Sequence, residues 1–150
     1  QNKKVILNPA PAQPLSEELL SALHLITPNE TEAELICGQK ITDIDSATKA
    51  ANLIKAKGVK NVIITMGAKG AFVCTDTICE LVPSYKVKAV DTTGAGDIFN
   101  GALVLAISEG RDWIEATRFA CKTSAIAVTR IGAQSSAPYR NEVDVFNPEK

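Results

Sequence analysis

Four stretches of this chain put polar or glycine-rich residues directly after a short apolar run: Asn8-Pro9-Ala10, Thr27-Pro28-Asn29, Thr65-Met66-Gly67 and the segment 91–97. Helical patterns lie between them. Ser16 followed by Glu17 and Glu18 opens a short helix to about Leu23, and Asn29 opens another that Gly38 stops. A longer helix begins near Ile44 or Asp45 and runs to Lys57, with Ala47, Ala50, Ala51, Leu53 and Ile54 on one face and Gly58 ending it. Short apolar runs at 5–7, 25–27 and 62–65 read as buried strands. Strands alternating with helices predict an α/β fold: an open, mostly parallel sheet flanked by helices, with right-handed crossovers. In such sheets ligands bind beyond the carboxyl ends of the strands, where all four polar stretches fall. The pattern therefore argues for one site before any ligand is named.

The rest of the chain is read in the same way. Met66-Gly67-Ala68-Lys69-Gly70 forms a turn, and 71–75 with 78–82 reads as a β-hairpin following the 62–65 strand. Residues 85–90 read as a further strand. It leads through Asp91-Thr92-Thr93-Gly94-Ala95-Gly96-Asp97 into an apolar helix that Gly110 breaks. A last long helix spans 113–128, the polar loop 130–138 follows, and a short helix closes the chain around 143–146.

The glycine turn carries the strongest chemistry. Small residues there leave backbone N–H groups uncovered at a helix start, where they and the helix dipole favour an anion. Asp97 falls in the first helical turn. A carboxylate is stabilised there by the dipole alone; it is also placed to act as a general base beside an anion hole. Two common phosphate motifs are excluded. No Gly-Lys-Ser/Thr ending makes a Walker A loop, and Phe99 stands where a dinucleotide fingerprint needs glycine.

What remains, Gly94-Ala95-Gly96-Asp97 on a strand-to-helix turn, resembles the signature of the ribokinase-like carbohydrate kinases. Thr27-Pro28-Asn29-Glu30-Thr31-Glu32 resembles that family's Asn-x-x-Glu motif; Asn29 capping a helix with Glu32 completing a capping box explains the same residues locally. Thr65-Met66-Gly67-Ala68-Lys69-Gly70 is similar to the family's ATP-binding strand end. The loop Arg130-Ile131-Gly132-Ala133-Gln134-Ser135-Ser136-Ala137-Pro138 resembles the segment that surrounds an activating potassium ion in the ribose-phosphorylating branch.

The resemblance implies a Rossmann-like fold, incomplete at its N-terminal side, and ATP-dependent transfer of a phosphoryl group to D-ribose, giving ribose 5-phosphate. It makes Asp97 the catalytic base and sugar contact, with Gly94, Ala95 and Gly96 as the anion hole. Nucleotide contacts fall to Asn29, Thr65, Gly67, Ala68, Lys69, Gly70, Gly96, Asp97 and Cys121. Mg²⁺ falls to Glu32 through water, and K⁺ to Asp91, Thr93, Ala127, Arg130, Gly132 and Ser136. A non-catalytic nucleotide-binding fragment, or a kinase of the same family acting on another sugar or a nucleoside, is the alternative.

The likeness covers the C-terminal, nucleotide-binding half of such a kinase over residues 1–150, without the sugar-binding half or the lid. The chain opens on Gln1, with strand-like sequence by Lys4, as if cut from a longer protein. An exposed apolar edge near residues 5–7 is expected, through which the chain could associate; the full-length kinase is expected to be a cytoplasmic homodimer. The formal net charge of −1 gives no reason to expect nucleic acid or an anionic membrane as a partner. No apolar run reaches the roughly 20 residues that span a bilayer. The four cysteines show no metal-ligand spacing. Cys74 and Cys79 flank a turn and could lie opposite each other across a hairpin, but free apolar thiols in a reducing cytosol are expected of them. His24 sits beside an apolar strand in a structural setting.

Overall fold

A computed structural model describes residues 3–148. They gather into two compact units: residues 3–67 with 71–81, and residues 68–70 with 82–148.

Most of the sheet lies in the first unit. Strands β1 (Ile6–Leu7), β2 (Leu25–Ile26), β3 (Asn61–Thr65), β4 (Gly70–Cys74) and β5 (Cys79–Pro83) lie side by side in that order. β1 pairs parallel with β2 and β2 parallel with β3, whereas β3 and β4 run antiparallel, with Ile63 opposite Val73. The sheet is thus open and mixed, parallel on its β1 side. β3 is buried at Asn61, Val62, Ile63 and Ile64. That fits the unbroken apolar run of a strand covered on both faces.

Helices α1 (Glu17–Ala22), α2 (Glu30–Cys37) and α3 (Ile44–Ala56) begin where local chemistry starts them. The side chains of Ser16, Asn29 and Asp43 each accept the N–H three residues on, satisfying a donor the helix leaves open. Gly38 ends α2 in the left-handed region, φ 75°. Ala47, Ala50, Ala51 and Ile54 of α3 enter a core with Leu20, Leu23, Ile26, Val62, Ile64 and Phe72. Leu53, expected on that face, is 45% exposed; it lies one residue round the helix from the buried stripe. His24 serves the backbone at the α1–β2 turn, its N–H donating to the Val5 carbonyl and its own carbonyl accepting from Asn61 Nδ2.

The turn between β4 and β5 is closed by Thr75 N–H donating to the Ile78 carbonyl. Cys74 and Cys79, expected as free thiols, are joined in a disulfide because the hairpin sets them opposite each other; Cys37 and Cys121 are free.

The second unit is helical. α4 (Ala95–Ser108) and α5 (Trp113–Ala127) pack on one another through a short connection that includes Gly110 at φ 83°, and α6 (Arg140–Val145) lies against α5. The expected strand at 85–90 does not form. Lys86, Lys88, Ala89 and Val90 are exposed, and the N–H groups of Val90 and Asp91 both donate to the carbonyl of Val128 at the end of α5, at 2.7 and 3.2 Å. β-propensity describes a fit to a neighbouring strand; this segment lies along a helix end instead. No described helix is long and apolar enough to cross a membrane.

Candidate functional site

In the first unit the carboxyl ends of β2 and β3 meet. Thr65 N–H donates to the Pro28 carbonyl at 2.9 Å, and Asn29 forms a parallel bridge with Thr65. Asn29 and Glu32 make a reciprocal cap on α2: Asn29 Oδ1 accepts from Glu32 N at 2.9 Å, and Glu32 Oε2 accepts from Asn29 N at 2.8 Å. That cap holds the Glu32 side chain, which is 8% exposed, in one place. Its second oxygen takes no hydrogen bond from a described residue and is not sealed from solvent. A single fixed carboxylate with one available oxygen fits a magnesium ion that keeps most of its waters. No cluster of three acidic, histidine or cysteine side chains that could enclose a metal occurs among the described residues. Gly67 follows Thr65 at φ 55° with open space around it.

In the second unit the start of α4 is open. Its cap is Gly94, φ 74°, which supplies no side chain to the helix amides. Ala95 N–H donates to the Thr92 carbonyl at 3.2 Å, and Ile98 N–H to that of Gly94 at 3.0 Å. No described acceptor takes the N–H of Gly96 or Asp97. Asp97 itself is exposed, turned outward in the first helical turn. Free amides, a helix dipole and an outward carboxylate stand together as the sequence leads one to expect.

Several of the residues read as a potassium site come together beside this turn. Asp91 Oδ1 accepts from Thr93 N and Oδ2 from Gly132 N, each at 2.9 Å. The Gly132 amide, then the Thr93 hydroxyl and amide, hold the Asp91 carboxyl down at about 2. The Ala127 carbonyl already accepts from Arg130 N at 3.0 Å, and buried Ser136 donates its hydroxyl to the Ala133 carbonyl at 2.7 Å. Carboxylate, hydroxyl and carbonyl oxygens are donors that suit a hard monovalent cation. A Cβ on Gly94 would lie 3.2 Å from both Cα and Cβ of Ala133, so the glycine turn and the 130–136 loop are in close contact.

Two contacts were not foreseen. Ser124 of α5 donates its hydroxyl to the Ala95 carbonyl at 3.2 Å, and Asn100 donates to the Gly96 carbonyl at 2.9 Å. Asn100 lies four residues from Gly96, a spacing that could have exposed it; nothing local links Ser124 to α4.

The remaining nucleotide candidates of this unit lie elsewhere on it. Ala68 and Lys69 are exposed in a single 3-10 turn, and the Lys69 carbonyl accepts from Ser84 N at 3.4 Å. Gly70, at φ 118°, lies so near Val82 and Ser84 that a Cβ would sit 2.7 Å from the Ser84 nitrogen. Cys121 is buried on α5, and burial pushes its thiol up to about 12.

A profile described as pfkB family carbohydrate kinase matches residues 1–140. The chain belongs to that family. A ribokinase of Haemophilus influenzae is 52% identical over 143 residues, which are 95% of this chain and 47% of the relative. A deoxyribokinase of Salmonella typhi is 38% identical over 145 residues, 96% of this chain and 46% of the relative. Among solved structures, Thermotoga maritima ribokinase superposes with TM-score 0.87 at 45% identity, covering 96% of this chain and 48% of that one. Arabidopsis thaliana ribokinase, solved with ribose and ATP, superposes with TM-score 0.86 at 32% identity, covering 93% and 46%. The pfkB-family fold is therefore shared, and the chain spans about half the length of the curated relatives it matches.

Proposed function

We propose that this chain is the nucleotide-binding half of an ATP-dependent kinase that phosphorylates the 5-hydroxyl of D-ribose. One observation carries the proposal: the exposed Asp97 carboxylate stands in the first turn of α4 beside amides that no described residue engages. In the proposed reaction the sugar oxygen bonds to the γ-phosphorus of ATP, the bond from that phosphorus to the β–γ bridging oxygen breaks, and ADP leaves. Asp97 takes the hydroxyl proton, and the backbone amides of Gly94, Gly96 and Asp97 hold the charge on the transferring group; the Ala95 amide, which the resemblance adds to them, is taken by the Thr92 carbonyl. By family likeness the nucleotide contacts are assigned to Asn29, Thr65 and Gly67 of the first unit and to Ala68, Lys69, Gly70 and Cys121 of the second, Cys121 being assigned to the base. Mg²⁺, held through water by Glu32, supplies charge neutralisation on the phosphates. Asp91, Thr93, Ser136 and the carbonyls of Ala127, Arg130 and Gly132 would hold K⁺, adding positive field beside the amides.

Ribose is favoured by the ribokinase relative at 52% identity; the deoxyribokinase at 38% keeps a deoxy-sugar as the second reading. The whole protein would work in the cytoplasm as a homodimer, and the chain alone would bind nucleotide without turning over sugar.

The test is Asp97→Asn in a kinase that contains this chain. Turnover should fall by a factor of roughly 10²–10⁴ while affinity for a non-hydrolysable ATP analogue stays level. Unchanged turnover would remove Asp97 from the role of base. Parallel assays with ribose and 2-deoxyribose decide the acceptor.

A further inference from the structure

One face of α5 carries Glu115, Arg118 and Lys122, spaced so that their side chains follow one another along the helix. Two hollows meet there. The first, of about 410 Å³, is lined by these three with Tyr85, Arg111 and Asp144. The second, of about 440 Å³, is lined by Arg118, Tyr85, Ser84 and Lys86. Arg118 and Tyr85 belong to both, so the hollows are neighbouring parts of one depression within the second unit. Small-molecule sites have volumes of roughly 300–1,000 Å³.

The charges lining it divide into engaged and free. Arg111 pairs with Glu109 at 3.1 Å, and Arg140 pairs with Glu109 at 2.7 Å and with Asp144 at 3.1 Å. Both guanidinium groups also lie over the Phe119 ring, at 4.6 and 5.0 Å. Arg118 and Lys86 have no hydrogen bond or ion pair among the described residues. The Lys122 ammonium reaches only the Asp144 carbonyl, at 3.4 Å. One Asp144 oxygen is taken by Arg140 Nε, whereas the Glu115 carboxylate accepts nothing from a described residue. Glu115 and Arg118 have the spacing of a helix ion pair and do not form one.

We infer that this depression is a second small-molecule site, built for a monophosphorylated sugar. The Arg118 guanidinium and the Lys86 and Lys122 ammonium groups supply the donors that a phosphate monoester takes. Inorganic phosphate gains nothing from Glu115, and a polyphosphate is repelled by it. Sugar hydroxyls instead give that carboxylate protons to accept. Tyr85, half-buried and resting edge-on against Phe146, offers an apolar ring with a polar tip between the two hollows. The depression is separate from the glycine turn: about 15 Å of α5 lies between Arg118 and Val128, whose carbonyl holds the Val90 and Asp91 amides. Ribose 5-phosphate is chosen as a probe because the proposed reaction makes it, and to that extent the inference rests on that reading. The site's chemistry does not.

The experiment titrates the isotope-labelled chain with ribose 5-phosphate, glucose 6-phosphate, ribose and inorganic phosphate, following backbone amide shifts. A sugar phosphate should move the amides of 84–86 and 115–122, leave those of 94–97 in place, and bind roughly tenfold more tightly than ribose or phosphate. Arg118→Ala should weaken it tenfold or more, at about the worth of one charge-assisted hydrogen bond. Glu115→Ala is the discriminating variant. It should weaken the sugar phosphate several-fold and strengthen inorganic phosphate, from which it removes a repelling charge. Both positions are exposed on a helix, where alanine is readily accepted.

Inorganic phosphate binding as tightly as the sugar phosphates overturns the inference, because the depression is then a bare anion patch. Shifts confined to 94–97, binding untouched by Arg118→Ala, or no shift with either sugar phosphate overturn it as well. Binding at 84–86 and 115–122, in a chain whose complete kinase fails to phosphorylate ribose, supports the site and counts against the proposed reaction alone.

Discussion

Asp91 shows how one carboxylate is tied to its surroundings by charge-assisted hydrogen bonds. Its carboxyl is held at about 2, against an ordinary 3.8, by the amide of Gly132, the hydroxyl of Thr93 and the Thr93 amide. A group depressed in the folded state stabilises that state above its unfolded pKa, and the contribution disappears as pH falls through the folded one. The window here runs from about pH 4 down to about pH 2. Asp91→Asn should therefore flatten the acid limb of the stability curve in that window, as followed by circular dichroism in urea at each pH. Cys121 is the opposite case. Burial pushes its thiol from 9.0 to about 12, so it stays protonated through the neutral range. Iodoacetamide at pH 8 should modify half-buried Cys37 well before Cys121, read by peptide mass spectrometry.

The elements that the sequence discloses best are those whose causes are local. Ser16 and Asn29 start α1 and α2 where a side-chain acceptor three residues upstream predicts, and Gly38 stops α2 where a left-handed residue is needed. Asn29→Ala should cost about 1 kcal/mol in urea unfolding, since it removes one arm of the capping box. If Glu32 also works through magnesium, Glu32→Gln should weaken magnesium-nucleotide binding while nearly preserving stability. The 85–90 segment has the composition of a strand and is not one, because strand formation requires a neighbour and its N–H groups find the end of α5. In the same way, Gly132 meets Asp91 across 41 residues and Ser124 meets Ala95 across 29. No window of local periodicity contains such pairs. The first was reached only through family likeness, and the second was missed.

At the scale of the molecule, the order of strands leaves β1 at one end of the sheet, with Val5 46% exposed beside it. An apolar, unpaired edge is a template for another chain. The chain should associate with rising concentration in sedimentation velocity. Val5→Lys should shift it toward monomer, because a charge on an edge opposes pairing. If wild type and variant sediment alike, that edge is not where copies meet. Charge balance was readable from composition alone. The alternation of strands and helices similarly disclosed an α/β sheet, but not the compact units into which the chain gathers, since those follow from packing between residues distant in sequence.

Gly94 joins a left-handed torsion to a Cβ direction that leads straight onto Ala133, 3.2 Å away. Every L-residue placed there meets both obstacles at once, so ordinary mutagenesis cannot separate them. A mirror-image alanine installed by semisynthesis would keep the torsion and aim its methyl along the other bond. Such a chain should fold and keep its helix start, whereas L-alanine at the same position should lower stability by about 1–2 kcal/mol. The handedness of one carbon thus becomes an instrument for asking whether the entrance to the amide pocket is kept by twist or by girth.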